Sequence, residues 1–240
     1  MPATLTLRGV DKRRIGRDRA FELRIETLRL LPGTMLALTG PSGCGKSTAA
    51  DLCGLALQPD EADLLRLEGD GGDFDIAAMW RSGRHEALAR LRARYFGYVP
   101  QTGALLPFLT VGGNIELAQQ LAGRRDPTRV DDLARHLGIA ELKRELPERL
   151  SVGQRQRVAI ARALAHAPDF VIADEPTASL DPDNARLVME LLVSSTREAG
   201  GALLVVAHDL DLVAELALPR ATLAAEPLPQ GWRTVLGAPA

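Results

Sequence analysis

A glycine-rich run between an apolar segment and a helix-forming segment is the feature that most constrains this chain. Residues 40–47 read GPSGCGKS, residues 35–38 before them are apolar, and the segment from Lys46 onward favours a helix. Glycines let the backbone N–H groups of such a loop turn inward, and the start of the following helix adds partial positive charge. A strand, a loop of this spacing and a helix are the parts of a phosphate-binding loop. The run therefore predicts an α/β fold that binds a nucleotide at this loop.

Individual positions of the loop have predicted roles. Lys46 is expected to reach the β- and γ-phosphates of ATP. Ser47 is expected to hold Mg²⁺ through its hydroxyl, with phosphate oxygens and waters completing the octahedron that this ion requires. The predicted nucleotide contacts of this segment are Gly40, Pro41, Ser42, Gly43, Cys44, Gly45, Lys46, Ser47 and Thr48.

Two adjacent carboxylates follow a second apolar segment. Residues 170–173 read FVIA, which is typical of a parallel strand covered on both faces, and Asp174 and Glu175 come directly after it. The carboxyl ends of such strands border the ligand crevice of an open α/β sheet. Asp174 is therefore predicted to bind Mg²⁺ indirectly or directly, and Glu175 to accept a proton from the water that attacks the γ-phosphate.

Length and composition limit the number of domains, the possible partners and the cellular compartment. The 240 residues suit one large domain or one domain with an insertion, and the formal net charge of −2 gives no sign of nucleic-acid binding. Two cysteines, Cys44 and Cys53, are too few for a disulfide framework and lie in no metal-binding spacing, which favours the cytosol. No uncharged apolar run approaches the ~20 residues that cross a bilayer. We expect any membrane association to come through a partner rather than by direct insertion.

Periodicity predicts how the chain is organised. Residues 3–7 and 21–25 alternate apolar and polar side chains, which indicates two strands with residues 12–19 as their turn. Residues 84–95 have helical spacing, and ALLVV at 202–206 is a second buried strand. The predicted single domain has three parts: an α/β core with its β subdomain at residues 1–101 and 166–225, an inserted helical subdomain at 102–165, and an irregular tail at 226–240.

A third motif narrows the class of nucleotide-binding protein to one family. Residues 150–164 read LSVGQRQRVAIARAL. Here the chain resembles the ABC ATPases, whose signature usually reads LSGGQ: Ser151, Gly153 and Gln154 match, and Val152 replaces a glycine. The resemblance implies that this segment caps the γ-phosphate bound to the opposing subunit of a dimer. A serine hydroxyl and backbone N–H groups at a helix start suit that anion.

The remaining motifs of the family occur in the expected order: YVPQ with Gln101, then the signature, then ADEPTASLD, then VVAHD with His208. The resemblance implies that Gln101 senses Mg²⁺ and water while linking to a permease, that Asp181 lies at the dimer interface, and that His208 contacts the γ-phosphate. It also implies a P-loop NTPase core of the RecA-like kind, with an antiparallel β subdomain and the inserted helical subdomain. The expected protein is a dimer, with itself or with a second ABC ATPase, held on the cytoplasmic face of a membrane by an integral permease.

One position departs from the family pattern. Members commonly place an aromatic residue near the end of the first strand to stack on adenine, and the matching position here is Arg14. A guanidinium also stacks on a flat base, so Arg14 is the first candidate and Phe21 the second, with a solvated turn residue as the alternative for Arg14. Within the family, residues 94–117 (RYFGYVPQTGALLPFLTVGGNIEL) are similar to the lipoprotein-release and macrolide-export branch.

Two other functions would use the same motifs. ABC ATPases that act on nucleic acid or the ribosome typically carry a long coiled coil between loop and signature, or two cassettes, whereas only residues 41–150 separate Gly40 from Ser151 here. A regulatory subunit without activity would lack the lysine, an acid or the histidine, and all of these are present. The sequence therefore predicts an active transporter ATPase.

Overall fold

A single mixed sheet organises the chain in the computed structural model, which describes residues 3–15, 20–228 and 231–237. The strands are β1 Thr4–Ile15, β2 Ala20–Leu30, β3 Met35–Thr39, β4 Glu61–Gly69, β5 Gly72–Asp75, β6 Phe96–Val99, β7 Phe170–Asp174, β8 Ala202–Val206, β9 Arg220–Leu228 and β10 Gly231–Leu236. The helices are α1 Lys46–Cys53, α2 Ile76–Arg81, α3 His85–Tyr95, α4 Val111–Ala122, α5 Pro127–His136, α6 Val152–Leu164, α7 Pro182–Glu198 and α8 Leu210–Glu215. Short 3-10 turns occupy Ala140–Leu142 and Pro147–Arg149.

The sheet has a parallel half and a mainly antiparallel half. Its strand order across the described residues is β5-β4-β1-β2-β10-β9-β3-β8-β7-β6. Strands β9, β3, β8, β7 and β6 pair parallel with one another, whereas β5, β4, β1 and β2 pair antiparallel with one another. Between these two halves, β10 pairs parallel with β2 and antiparallel with β9. The carboxyl ends of β3, β8, β7 and β6 therefore meet at one edge of the sheet.

The central strands are apolar throughout because helices or other strands cover both of their faces. In β8, Ala202, Leu204 and Val206 face the core that also holds residues of α1 and β1, while Leu203 and Val205 face the core under α6 and α7. All five side chains are buried. This two-sided burial removes the polar alternation seen in half-exposed strands, and it confirms the strand interpretation of ALLVV and FVIA.

Helices follow the local signals in the region between β6 and β7. Asp126 caps α5 by accepting a hydrogen bond from the backbone N–H of Arg129, and Pro127 occupies the first turn, where its missing N–H costs nothing. Gly138, with φ of +63°, follows the end of that helix. The predicted helical character of this stretch is present, while the division of the chain into subdomains stays a prediction.

Two segments form strands that were not predicted from the sequence. Residues 61–75, which are rich in charge and glycine, form the β4–β5 hairpin, whose buried face is supplied by residues such as Leu65 and Leu67. The tail was expected to be irregular, and this is wrong for its described residues, because β9 extends to 228 and β10 pairs with both β9 and β2. The sequence of β10 did not indicate a strand because its buried face includes a polar residue, Thr234, which is fully buried.

Parts of the predicted turn and of the predicted tail fall outside the residues that the structure describes. Strand β1 extends to Ile15 and β2 begins at Ala20, so both strands reach into the predicted turn of residues 12–19. Residues 16–19 of that turn lie outside the described residues, as do residues 229–230 and 238–240 of the tail. Among the described residues no helix combines the length and the apolar character needed to cross a bilayer.

Candidate nucleotide-binding site

The parallel strands bring the predicted site residues to one edge of the sheet. The glycine-rich loop follows β3 and His208 follows β8. Asp174 ends β7 with Glu175 directly after it, and Gln101 follows β6. Because β3, β8, β7 and β6 are consecutive neighbours, these segments lie side by side at their carboxyl ends. That edge is where open α/β sheets bind ligands.

The loop between β3 and α1 has the conformation that its glycines permit. Gly40, Gly43 and Gly45 have φ of +149°, +75° and +92°, a region that residues with a side chain rarely adopt. The ammonium of Lys46 donates to the carbonyl oxygens of Gly40 at 3.0 Å and Pro41 at 2.9 Å. The residue is 4% exposed, so its charge lies inside the loop and not in solvent. A positive charge enclosed by inward-turning backbone suits a phosphate.

Ser47 and Asp174 form a pair of oxygen donors beside the loop. The Ser47 hydroxyl donates to Asp174 Oδ1 at 2.9 Å. Burial raises the pKa of the Asp174 carboxyl, and the neighbouring carboxylates of Glu175 and Asp51 raise it further, against the lowering effect of the Ser47 hydrogen bond. A hydroxyl and a carboxylate in a region of excess negative charge fit Mg²⁺, a hard cation that prefers oxygen ligands.

Glu175 is held at both carboxylate oxygens. Its Oε1 contacts His208 Nε2, and its Oε2 accepts a hydrogen bond from Gln101 Nε2 at 3.1 Å. The backbone of Glu175 has φ of +48°, a strained value for a residue with a side chain. Strain of this kind persists only where the surroundings impose it, and here the contacts with His208 and Gln101 hold the side chain in place.

The signature segment begins a helix with its polar groups organised. Ser151 is the N-cap of α6: its hydroxyl oxygen accepts the N–H of Gln154 at 3.2 Å, and its own N–H donates to Gln154 Oε1 at 2.8 Å. This reciprocal capping box fixes the helix start. Val152 follows with 45% of its surface exposed, so the departure from the family pattern places an apolar side chain on the surface.

Asp181 caps the other helix that begins near this crevice, α7. Its carboxylate accepts hydrogen bonds from the backbone N–H of Asn184 at 3.1 Å and from the side-chain amide of Asn184 at 2.8 Å. These hydrogen bonds hold the pKa of Asp181 below its usual value. Gly153 lies beside the same Asn184, with a Cβ built on the glycine 3.6 Å from Asn184 Oδ1. The signature helix and the start of α7 are therefore packed together.

The two residues that are candidates for stacking on adenine occupy paired positions on neighbouring strands. Arg14 of β1 is registered opposite Phe21 of β2, and Arg14 is exposed. The Phe21 ring lies against the loop, since a Cβ built on Gly45 would fall 2.3 Å from its Cζ. Trp232 of β10 packs edge-on to Phe21, with ring centroids 6.4 Å apart. The structure thus brings Phe21 directly to the loop.

Two contacts near the site were not predicted from the sequence. The hydroxyl of Tyr98 on β6 donates to Asp51 Oδ1 at 2.8 Å, and burial raises the pKa of Tyr98. Asp51 lies one helical turn after Ser47 on α1, and this spacing was the available signal that it faces the same side. Arg162 of α6 binds the loop after Gln101, and nothing in the local sequence indicates that contact.

This geometry defines a P-loop nucleotide-binding protein, and comparison with known proteins gives its family. A family profile described as ABC transporter matches residues 23–178. The chain belongs to the ABC transporter family, which confirms the resemblance seen in the motifs.

Similar proteins agree with that assignment. The chain is 39% identical over 198 residues to the lipoprotein-releasing system ATP-binding protein LolD of Maricaulis maris (81% of this chain, 82% of that protein). It is 33% identical over 212 residues to the macrolide export ATP-binding/permease protein MacB 2 of Aeromonas hydrophila (87% of this chain, 31% of that protein). These relatives confirm the predicted branch.

A solved structure confirms the fold class. The dimeric post-hydrolysis state of the ATP-binding cassette MJ0796 bound to ADP and Pi superimposes with a TM-score of 0.77 and 28% identity. The match covers 91% of this chain and 93% of that one.

The raised pKa of Asp174 predicts that this residue destabilises the nucleotide-free protein. A folded-state pKa above the unfolded value means that the ionised form opposes folding at high pH, and that the penalty disappears once the pH falls below the unfolded value. We expect Asp174→Asn to increase the free energy of unfolding at pH 7 by about 0.5–2 kcal/mol, as is common when a functional group is replaced. Thermal unfolding without nucleotide measures the change, and the gain should shrink as the pH is lowered.

Asp181→Asn is the matched control, since hydrogen bonds lower the pKa of that carboxylate in the folded state. It should leave stability unchanged or reduce it. If both variants changed stability in the same direction, burial of charge would not be the cause at Asp174.

Proposed function

We propose that this chain is the ATP-binding and ATP-hydrolysing subunit of an ABC transporter and drives a separate membrane permease. The observation that carries the proposal is the gathering of Lys46, Ser47, Asp174, Glu175 and His208 at the ends of adjacent parallel strands. Relatives named for lipoprotein release and macrolide export support transport over action on nucleic acid or the ribosome. The ligands would be ATP and Mg²⁺.

Binding of ATP would use groups that are already placed. The Lys46 ammonium, now satisfied by the carbonyls of Gly40 and Pro41, would exchange them for phosphate oxygens. The backbone N–H groups of the loop and the start of α1 add positive potential. Mg²⁺ held by Ser47 and Asp174, with Gln101 nearby, would neutralise charge on the phosphates. The protein's contribution is mainly position and electrostatics, as in phosphoryl transfer generally.

Glu175 is the group proposed to take the proton from the attacking water. A general base needs a carboxylate oxygen within hydrogen-bond reach of that water. His208 and Gln101 hold the carboxylate from two sides, and His208 would move to contact the γ-phosphate. The same two residues therefore orient the base before the nucleotide is in place.

The signature residues support a composite site made by two chains. Ser151, Gly153 and Gln154 begin α6, and Asp181 begins α7 beside them, so one surface carries both motifs. A two-fold dimer would place that surface of each chain against the loop of the other and enclose two ATP molecules in one isologous interface. The dimeric state of the similar cassette MJ0796 supports this arrangement. A second ABC ATPase in place of an identical chain would use the same surface.

An exposed aromatic residue supports contact with a permease on the cytoplasmic side of a membrane. Phe108 is 74% exposed, on the segment that follows Gln101. The fully buried Asn114 fixes that segment through four hydrogen bonds with backbone groups of Leu106, Leu109 and Thr110. A rigidly held aromatic on the surface is typical of a protein-docking position.

Glu175→Gln tests the proposed function directly. The amide cannot accept the proton from water, so ATP turnover should fall by roughly 10² to 10⁴-fold while ATP binding is retained. Phosphate release and nucleotide binding are the measurements. Glu190→Gln, an exposed glutamate of α7, should leave both unchanged. Turnover within a few-fold of the unaltered chain would exclude Glu175 as the base.

Phe21→Ala and Arg14→Ala separate the two candidates for the adenine platform. We expect Phe21→Ala to have the larger effect, because its ring already touches the loop, and to weaken ATP binding by ~0.5–1.5 kcal/mol, the usual worth of an aromatic contact. Inorganic triphosphate should bind both variants as it binds the unaltered chain, since it carries no base. Phe74→Ala, which removes an aromatic packed against Tyr95, controls for lost stability. A larger loss in Arg14→Ala would assign the platform to the guanidinium instead.

The composite site predicts recovery of activity when two inactive variants are mixed. Lys46→Ala removes the phosphate lysine, and Ser151→Arg blocks the signature, so each homodimer should be inactive. In a mixed dimer one site carries both lesions and the other carries neither. Phosphate release from the mixture should therefore exceed that of either variant alone. Activity in either variant as a monomer would rule out the composite site.

A further inference from the structure

Arg162 forms two hydrogen bonds with backbone carbonyls of a neighbouring loop. It lies near the end of α6, whereas the signature lies at the start of that helix. Its Nη1 donates to the carbonyl oxygen of Ala104 at 2.8 Å, and its Nη2 donates to the carbonyl oxygen of Gly103 at 2.9 Å. The planar fork of a guanidinium matches two neighbouring acceptors in this way. Both acceptors belong to the loop that begins at Gln101.

The charge of Arg162 depends on those two carbonyls. Burial lowers the pKa of its guanidinium, and no carboxylate among the described residues offsets that effect. The side chain is half-buried, and a partly desolvated charge without hydrogen-bond partners is costly, so the two contacts stabilise the loop in its present position. The loop carbonyls are in turn satisfied by the guanidinium.

The loop itself is strained at the point where Arg162 holds it. Gly103 has φ of +72° and Ala104 has φ of +40°. A positive φ is accessible to glycine, but for alanine it carries an energetic cost and persists only when the surroundings impose it. Two hydrogen bonds from a fixed guanidinium are such an imposed restraint.

The helix that carries Arg162 is anchored to the sheet at the adjacent residue. A Cβ built on Gly97 of β6 would fall 2.1 Å from the carbonyl oxygen of Ala163, so the two backbones are in direct contact there. The packing of α6 against the sheet therefore fixes the position of Arg162. Arg162 reaches the loop two and three residues beyond Gln101, whose amide binds Glu175.

We propose that Arg162 is a positioning residue for hydrolysis: it fixes the loop of residues 101–104 to the sheet, so that the Gln101 amide stays on the carboxylate of Glu175. The inference rests on the proposed ATP hydrolysis at Glu175. It gives the far end of the signature helix a role in the chemistry without contact with the nucleotide.

A double-mutant cycle with Gln101 tests this role. Arg162→Lys keeps the charge but not the fork, and we expect it to lower kcat for ATP by roughly ten- to hundredfold, as misplacement of a catalytic group does, with little change in ATP binding. In a Gln101→Ala background, where nothing remains to be positioned, the same change should alter kcat by no more than about twofold, within the error of additivity. Arg162→Gln is the second variant if the lysine protein folds poorly.

Arg157→Lys is the matched control. Arg157 lies on the same helix and donates to the carbonyl of Leu137 at 3.2 Å, a contact that ends α5 and does not involve the loop. The control should change thermal stability at most. Hydrogen exchange of the peptide spanning residues 101–106 gives a readout that does not depend on hydrolysis, and it should speed up in Arg162→Lys and not in Arg157→Lys.

The outcomes separate this proposal from the proposed function. Loss of kcat that is the same size with and without Gln101, an unchanged kcat in Arg162→Lys, or unchanged exchange in residues 101–106 would each overturn the positioning role while leaving ATP hydrolysis intact. Absence of hydrolysis in the unaltered chain would instead overturn the proposed function, and this inference with it.

Discussion

The parallel pairing of β3, β8, β7 and β6 is the constraint on which the rest of the structure depends. Parallel strands require long connections, and each connection here leaves the same edge of the sheet. The loop of Lys46, the acids at the end of β7, His208 and Gln101 are distant in sequence, yet the pairing makes them neighbours. Both faces of a strand such as β8 are buried, so the sheet is packed on both sides beneath the edge where Gln101 binds Glu175.

The carboxyl ends of these strands bring together carboxylates and a lysine that are distant in sequence. Asp51, Asp174 and Glu175 place three carboxylates near the buried ammonium of Lys46. Burial raises the pKa of Asp174, and the other two carboxylates raise it further. The hydroxyl of Ser47 and the amide of Gln101 offset part of this repulsion. A cation bound with an anionic phosphate chain satisfies both sets of charges at once. The excess of negative charge around Asp174 therefore agrees with the proposed binding of a metal ion together with a nucleotide.

The sequence predicts best what local chemistry decides. The glycine loop, the buried strands at 170–173 and 202–206 and the start of α5 are specified by residues within a few positions of each other, and the structure has them. The β4–β5 hairpin and β10 were missed because their patterns are polar or glycine-rich and their strands form only by pairing with β1 and β2. Phe21 against Gly45 and Arg162 on the loop depend on tertiary neighbours, which no local pattern encodes.

Lys46 and Arg162 each bind a pair of backbone carbonyls, yet their chemistry suits opposite tasks. Lys46 carries a compact ammonium on a flexible stem, and its hydrogen bonds to Gly40 and Pro41 can be exchanged for phosphate oxygens that bear more negative charge. Arg162 presents a rigid planar fork to Gly103 and Ala104, where no anion competes among the described neighbours. The lysine contact is therefore suited to release when ligand arrives, whereas the arginine contact is suited to persist through the cycle. A nucleotide site needs both kinds of contact, because one group must move to the ligand while the frame that aims the others stays still.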